Sequence, residues 1–200
     1  TNKQEEKVIK ERHNTKYRSI SRANDIYSFY KLPTDKYLDL GGGDGSITSV
    51  VGERLGLKKE KIICADINNW CSNYNKPYDI TYTEIYEDKN LYMFKNSEFS
   101  LVTCFQSLHH MKNVEERLKD INRILKPSGV LIIREHDCFN NEMRILIDIE
   151  HCIYELVLGD NNPDFVNKYY ANYRNKIEWT RLIEKYGFRY VNIVYPQKYG

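Results

Sequence analysis

A glycine cluster at residues 41–45 is the clearest candidate for binding chemistry in this chain. It follows the short apolar run 37–40, so a strand is predicted to lead directly into it. Gly41, Gly43 and Gly45 have the G-x-G-x-G spacing of a nucleotide-binding loop, in which absent side chains permit a tight turn and let a ligand approach the backbone. Such clusters are also common in ordinary turns, so the surrounding sequence has to decide between the two.

An acidic residue lies at the expected distance beyond the glycine cluster. Apolar residues recur at helical spacing over 47–55, and the apolar run after them ends in Asp66. Asp66 follows Gly45 by 21 residues, close to the roughly 20 at which an acid after a second strand hydrogen-bonds ribose hydroxyls. A nicotinamide dinucleotide is disfavoured, because Ser46 replaces the third glycine and Asp44 would oppose a pyrophosphate. We therefore expect an adenosine-containing cofactor without a pyrophosphate.

Four motifs follow one another along the chain: 38–45 (LDLGGGDG), 94–102 (FKNSEFSLV), 107–111 (SLHHM) and 121–133 (INRILKPSGVLII). In order and spacing they resemble the motifs of class I S-adenosylmethionine-dependent methyltransferases, of the kind often labelled methyltransferase type 11. Three positions depart from the family pattern, because Gly42, Ser100 and Ser128 stand where Cys, Asp and Gly are usual. The resemblance spans about residues 36–195 and implies S-adenosyl-L-methionine as the cofactor.

The alternation of strand and helix patterns predicts an α/β fold. Strands expected near residues 38, 62, 100, 130 and 190 alternate with helices, which favours a mostly parallel, twisted sheet with helices on both faces. The resemblance implies the same Rossmann-like class I methyltransferase fold. We expect an N-terminal basic helical segment over 1–36 and the methyltransferase domain over 37–200, in one globular unit. The chain starts without Met and ends soon after the last predicted strand, so excision from a larger protein with other domains is one interpretation.

The resemblance also implies the cofactor contacts. Asp66 is expected to bind the ribose, with a helix N-cap as its structural alternative. Asp88 is expected at the adenine amine, where Glu84 and Glu87 are rivals. Asp39 either contacts the methionine amine or orders the glycine loop. The complete predicted cofactor set is Asp39, Gly41, Gly42, Gly43, Asp44, Asp66, Ile67, Asp88, Phe105, Gln106 and Ser107.

Candidate catalytic residues follow the later strands. The tetrad REHD leaves the fifth strand at the edge where ligands bind, so His136 and Asp137 could reach a methyl acceptor, with structural ion pairing as the alternative. Tyr154, on a predicted acidic helix, completes the predicted catalytic set. His109 and His110 form a pair that in this family more often supports the loop than catalyses.

Charge is distributed unevenly along the chain. The net charge is +4 over 1–37 and again over 168–189, −5 over 134–160, and +2 overall. Basic and aromatic residues together suit single-stranded nucleic acid, although a solvated face with packed tyrosines is the simpler alternative. The Lys-Asp-Lys-Glu set of ribose methyltransferases is absent, because the fourth strand ends at 103–105 without an Asp.

These features favour a nitrogen-type methyl acceptor. RNA is the first candidate, specifically the guanine of a 5′ cap, as in the methyltransferase domain of a viral-type mRNA capping enzyme. A small-molecule metabolite is the second candidate, and a noncatalytic cofactor-binding subunit is the third. Usage biased toward Asn, Lys, Ile and Tyr fits an A/T-rich viral or parasite genome.

Composition bounds the remaining expectations. The chain has 200 residues, 41% of them hydrophobic, which is enough for one domain with its own core. No apolar run approaches 18 residues and no signal peptide is recognisable, so a cytoplasmic location without membrane contact is predicted. The five cysteines lack paired metal spacing and are expected to be reduced thiols, so no metal site is predicted.

Overall fold

A five-stranded parallel sheet forms the centre of the molecule. The structure, a computed structural model, describes residues 17, 19–28, 30–67, 78–87, 89–158 and 165–192. Within these ranges the strand order is β3-β2-β1-β4-β5, and all four neighbouring pairs are parallel. The strands are β1 (Tyr37–Leu40), β2 (Ile62–Asp66), β3 (Thr81–Glu84), β4 (Phe99–Phe105) and β5 (Leu125–Arg134). The predicted α/β architecture with a parallel sheet is confirmed.

Helices cover the sheet and connect its strands. They are α1 (residues 19–28), α2 (Ser46–Arg54), α3 (Val114–Ile124), α4 (Asn141–Leu158), α5 (Phe165–Lys168) and α6 (Lys176–Lys185). Short 3-10 turns lie at Lys59–Lys61 and Leu108–His110. Within the described residues, no helix is both long and apolar enough to cross a bilayer.

Two apolar clusters, one on each face, explain why the central strands are almost entirely apolar. On one face Tyr37 and Ile62 pack with α1 and α2, and on the other Leu38 packs with α3 and with Trp179 of α6. Successive residues of a strand point to opposite faces, so a strand buried on both sides must be apolar at nearly every position. All four residues of β1 are buried, as its central place in the strand order requires.

Two features of the sheet differ from the sequence expectation. The sequence did not predict β3, because its TYTE sequence is polar and its side chains are exposed or half-buried at the edge of the sheet. A strand near residue 190 was predicted, whereas 188–192 form no strand in the described part of the chain. Residues 193–195 lie outside that part, so the sixth strand stays a prediction. The described part of the predicted basic segment packs on the core through Ala23 and Ile26.

Candidate functional site

The candidate site lies where the strand order reverses. β1 and β4 are neighbours, with β2 on one side and β5 on the other. Ligands of open α/β sheets bind outside the carboxyl ends of the strands at such a point. The loop 41–45 follows β1, Asp66 ends β2, 106–110 follow β4, and Glu135 follows β5. The fold therefore brings together the four segments that the sequence placed at this edge.

The glycines of the loop have different surroundings: Gly41 packs against protein, whereas Gly43 borders open space. Gly41, Gly43 and Gly45 have φ angles of 78°, 56° and 80°, in the left-handed region that favours glycine. A Cβ on Gly41 would lie 2.4 Å from the Cβ of Ser107, so the protein itself excludes a side chain there. A Cβ on Gly43 would meet no described protein atom within 4 Å. The open side of Gly43 is the space that a cofactor pressed against the backbone would fill.

Asp66 ties the second strand to this loop. Its Oδ2 accepts a hydrogen bond of 2.8 Å from the backbone N–H of Gly43. The adjoining Ile67 is 50% exposed and offers an apolar surface beside the carboxylate. Asp44, in the loop itself, accepts from the N–H of Ser46 at 2.9 Å, at the start of α2. A carboxylate beside an apolar side chain fits the ribose and adenine of the predicted cofactor.

Asp39 lies beneath the loop and is 1% exposed. Its two oxygens accept from the hydroxyls of Thr48 and Thr103, each at 2.7 Å. Because Thr103 donates to Asp39, the Tyr37 hydroxyl 2.8 Å away must donate to Thr103. Burial, only partly offset by the two hydroxyls, raises the pKa of Asp39 to about 6. Both hydroxyls come from α2 and β4, so Asp39 joins these two elements beside β1, and the two sequence interpretations of its role stay predictions.

The segment after β4 presses against the glycine loop. The Ser107 hydroxyl donates to the carbonyl of Leu40 at 3.0 Å. Gln106 has a φ of 52°, and its N–H donates to the carbonyl of Arg134 at 2.7 Å. A left-handed non-glycine residue is strained and is a recurrent feature of functional sites. Phe105 packs against the cluster that contains α1 and α2.

The remaining predicted site residues have different surroundings. His136 is half-buried, with its Nε2 3.5 Å from Nε2 of Gln106. Asp137 is exposed, and its Oδ1 accepts from the backbone N–H of Lys176 at 2.7 Å, in the first turn of α6. Asp88 and the side chain of Tyr154 lie outside the described part of the structure.

A buried histidine–glutamate pair is the most unusual chemistry at this edge. His109 is fully buried, and its Nδ1 lies 2.6 Å from Oε2 of Glu135. The other oxygen of Glu135 accepts from the N–H of Leu108 at 2.8 Å. Since a carboxylate only accepts, Nδ1 of His109 carries a proton, and in the neutral imidazole Nε2 is the nitrogen that keeps a lone pair. That Nε2 is buried and has no hydrogen-bond partner among the described residues.

The sequence did not identify this pair, although His109 and Glu135 each belong to a motif that was considered separately. The two residues are 26 positions apart and lie on separate elements. The available signal was that both residues follow strands whose carboxyl ends were expected at the same edge of the sheet. In the structure β4 and β5 are neighbours, and Phe105 pairs with Arg134.

Histidine and tyrosine rings surround His109. The ring centroids nearest to that of His109 are those of His110 at 4.0 Å, Tyr173 at 5.2 Å, His136 at 5.4 Å and His151 at 5.7 Å. Burial is the main cause that lowers the pKa of His110 to about 4 and lowers the pKa of His136. These two imidazoles are therefore neutral at pH 7.

Comparison with known proteins identifies the family. Residues 11–193 match a family model described as a methyltransferase domain. The chain belongs to this methyltransferase domain family. It is an S-adenosylmethionine-dependent methyltransferase domain, and the open side of the glycine loop, Asp66 and Ile67 fit that cofactor.

Relatives from several kinds of protein share this domain. The highly reducing polyketide synthase aurA of Calcarisporium arbuscula is 27% identical over 198 residues, which cover 90% of this chain and 7% of that protein. The ubiquinone/menaquinone biosynthesis C-methyltransferase UbiE of Hydrogenovibrio crunogenus is 30% identical over 115 residues, or 52% of this chain and 42% of that protein. The chain thus spans less than half the length of either relative.

Solved structures show the same fold. Phosphoethanolamine N-methyltransferase 2 of Haemonchus contortus, in complex with S-adenosyl-L-methionine, has a TM-score of 0.57 and 17% identity. The alignment covers 84% of this chain and 36% of that one. None of these comparisons supports the predicted RNA cap acceptor, a role in mRNA capping or a viral source.

Proposed function

We propose that this domain methylates an acidic carbon of a small molecule, with His109 as the general base. The observation that carries the proposal is the buried pair of His109 and Glu135, which presents an unpartnered Nε2. A buried polar atom without a partner is rare and requires an explanation. A substrate proton that Nε2 accepts during the reaction provides one.

The type of acceptor follows from whether a base is needed. Bound S-adenosylmethionine supplies a methyl group that is already activated on a sulfonium, so orienting the acceptor provides much of the acceleration. An amine in its unprotonated form has a lone pair and needs no base, whereas a carbon next to a carbonyl becomes nucleophilic only after it loses a proton. In this proposal that proton moves from the carbon to Nε2 of His109. Glu135 holds the imidazole in the required tautomer and stabilises the imidazolium that forms.

The names of two relatives also support a carbon acceptor. One is named as a C-methyltransferase and another as a polyketide synthase, although each is far longer than the matched region. The structurally similar N-methyltransferase supports the other small-molecule option, a nitrogen acceptor. The pair of His109 and Glu135 favours carbon, because a carbon acceptor always requires a base, whereas an unprotonated amine requires none.

The RNA acceptor loses part of its basis in the fold. It was motivated by aromatic residues interleaved with basic ones near both ends of the chain. Three of those aromatic side chains, Tyr30, Tyr173 and Trp179, are only 5–6% exposed and pack in the core. Stacking on single-stranded bases requires an accessible ring. The packed-tyrosine alternative is therefore the better description of these three positions.

Hydrogen exchange tests the base without the cofactor. In D2O the domain should accelerate exchange of the methylene hydrogens of a soluble acetoacetyl thioester, which lie between two carbonyl groups. Glu135→Gln should slow this exchange about 100-fold or more, the usual contribution of a general base. Glu142→Gln, at an exposed position of α4, is the matched control and should exchange at the wild-type rate.

A calorimetric titration with S-adenosylmethionine shows whether each variant is folded. Equal exchange by the wild type and by a folded Glu135→Gln variant would overturn the proposed base. Loss of both exchange and cofactor binding would report misfolding, and His109→Gln would then be the variant to measure.

A further inference from the structure

Three histidines, including His109 of the His109–Glu135 pair, lie close together. His109, His110 and His151 can each offer a ring nitrogen such that the three nitrogens lie within 4.8 Å of one another. His109 and His110 come from the 3-10 turn after β4, and His151 comes from the middle of α4. Their ring centroids are 4.0, 5.2 and 5.7 Å apart. Elements that are distant in sequence therefore build one compact nitrogen cluster.

Hydrogen bonds fix the same tautomer in all three rings. Nδ1 of His110 lies 2.8 Å from the carbonyl oxygen of Tyr170, and Nδ1 of His151 lies 2.8 Å from that of Ile147. Nδ1 of His109 faces the carboxylate of Glu135, as described above. Carbonyl and carboxylate oxygens only accept, so each Nδ1 carries a proton. In the neutral form of each ring, Nε2 is therefore the nitrogen available to a ligand.

We propose that these three Nε2 atoms form a binding site for a divalent transition metal ion such as Zn²⁺. Imidazole is a preferred ligand of zinc, and ligating histidines almost always donate their other N–H to a carboxylate or a carbonyl. All three histidines have such an acceptor. In addition, Nε2 of His109 is buried and has no hydrogen-bond partner within the described ranges, which a metal ion would supply.

The geometry suits an ion with one open coordination position. Zinc–nitrogen bonds of about 2.0–2.1 Å place the nitrogens of a tetrahedral site about 3.4 Å apart. One nitrogen from each ring lies within 4.8 Å of the other two, so binding an ion requires the three rings to move closer together. The sequence predicted no metal site, because its cysteines lack paired metal spacing and the adjacent His109 and His110 were interpreted as support for the loop.

Metal binding has a consequence for activity that rests on the proposed function. Nε2 of His109 cannot accept a substrate proton while its lone pair is bound to a metal ion. Zinc should therefore inhibit proton abstraction reversibly, and a chelator should restore it. The site itself depends only on the three histidines, so binding and inhibition can be measured separately.

Calorimetry with ZnCl2 on chelator-treated protein tests the site, and the visible absorption of bound Co²⁺ reports the ligand geometry. We expect one ion per chain, with affinity at least about tenfold weaker in His110→Ala and in His151→Ala. Cys152→Ser is the matched control, because it removes an exposed thiol from the same helix as His151. That variant should bind zinc as the wild type does.

Hydrogen exchange of the acetoacetyl thioester, measured with and without zinc, completes the test. Zinc should inhibit the wild type, and His151→Ala should resist inhibition relative to its own metal-free rate. Absence of binding, or equal binding by the wild type and both histidine variants, would overturn the metal site. Specific binding that leaves exchange unchanged would uphold the metal site and overturn His109 as the base.

Discussion

Individual glycines in the cofactor loop are required for different reasons. Ser107 leaves no room for a side chain at position 41, whereas Gly43 borders open space. Gly56, at the end of α2, also has a positive φ, of 68°, and also has open space around it. Gly43 and Gly56 therefore share backbone strain and differ in position, since only Gly43 lies at the cofactor site.

Alanine at these two positions should separate strain from binding. Gly43→Ala and Gly56→Ala should each cost about 1–2 kcal/mol of unfolding free energy, because a Cβ is disfavoured in the left-handed region. Only Gly43→Ala should weaken S-adenosylmethionine binding, by at least about tenfold, because its methyl group occupies the ligand space. Urea unfolding and calorimetric titration measure the two effects. Equal cofactor affinity in both variants would remove Gly43 from the site.

Asp39 makes stability depend on pH in an unusual direction. Its pKa is raised from 3.8 to about 6 in the folded protein, mainly by burial. The unfolded chain therefore loses this proton first, and the stability present below pH 3.8 is lost as pH rises through 6. Asp39→Asn cannot ionise, so the wild type should lose about 2 kcal/mol relative to this variant between pH 4 and pH 6.5. Denaturant titrations of both proteins across this pH range measure the difference in their unfolding free energies. A difference that does not change with pH would contradict the raised pKa of Asp39.

At the scale of elements, α3 organises the loop that follows β3. Asp120 is 8% exposed, and its carboxylate accepts from the N–H of the buried Leu91 at 2.7 Å and from Nε of Arg123 at 3.1 Å. Arg123 in turn donates to the carbonyls of Leu91 and Phe94 at 2.9 and 3.0 Å. Two side chains one helical turn apart thus satisfy the backbone of a loop that the sequence assigns to the adenine side of the cofactor.

Removing Asp120 should be costly because the N–H of the fully buried Leu91 remains in the interior. Asp120→Ala leaves this N–H without its acceptor and removes one of the acceptors of Arg123, so we expect a loss of about 2–3 kcal/mol in unfolding free energy. Glu116→Ala, on the same helix, removes an exposed ion pair with Lys119 and should cost less than about 1 kcal/mol. Guanidinium unfolding measures the free energy of unfolding of the two variants. Similar decreases in both variants would contradict the bridging role of Asp120.

At the scale of the whole molecule, the sequence predicted the central sheet better than its edges. Strands β1, β2, β4 and β5 were predicted because buried parallel strands form apolar runs between helical patterns. The polar edge strand β3 gave no such signal. Cys64 and Cys104 were expected on strands and lie buried in β2 and β4.

The site was predictable where its residues are local and unpredictable where they are distant. The glycine loop and Asp66 have a fixed spacing, so their meeting could be read from the chain. His109, Glu135 and His151 meet only because the crossovers place β4, β5 and α4 side by side. A carboxylate that selects one imidazole nitrogen depends on side-chain packing, which no sequence spacing encodes.

The position of the transferred methyl group tests the central claim most directly. The domain is incubated with S-adenosylmethionine carrying a CD3 group and with an equimolar mixture of an acetoacetyl thioester and a small primary amine. Mass spectrometry and NMR then locate the label. We predict CD3 on the carbon between the two carbonyls, and loss of that product in Glu135→Gln but not in Glu142→Gln. Label on nitrogen, or carbon labelling that is equal in Glu135→Gln and the wild type, would contradict a base formed by His109 and Glu135.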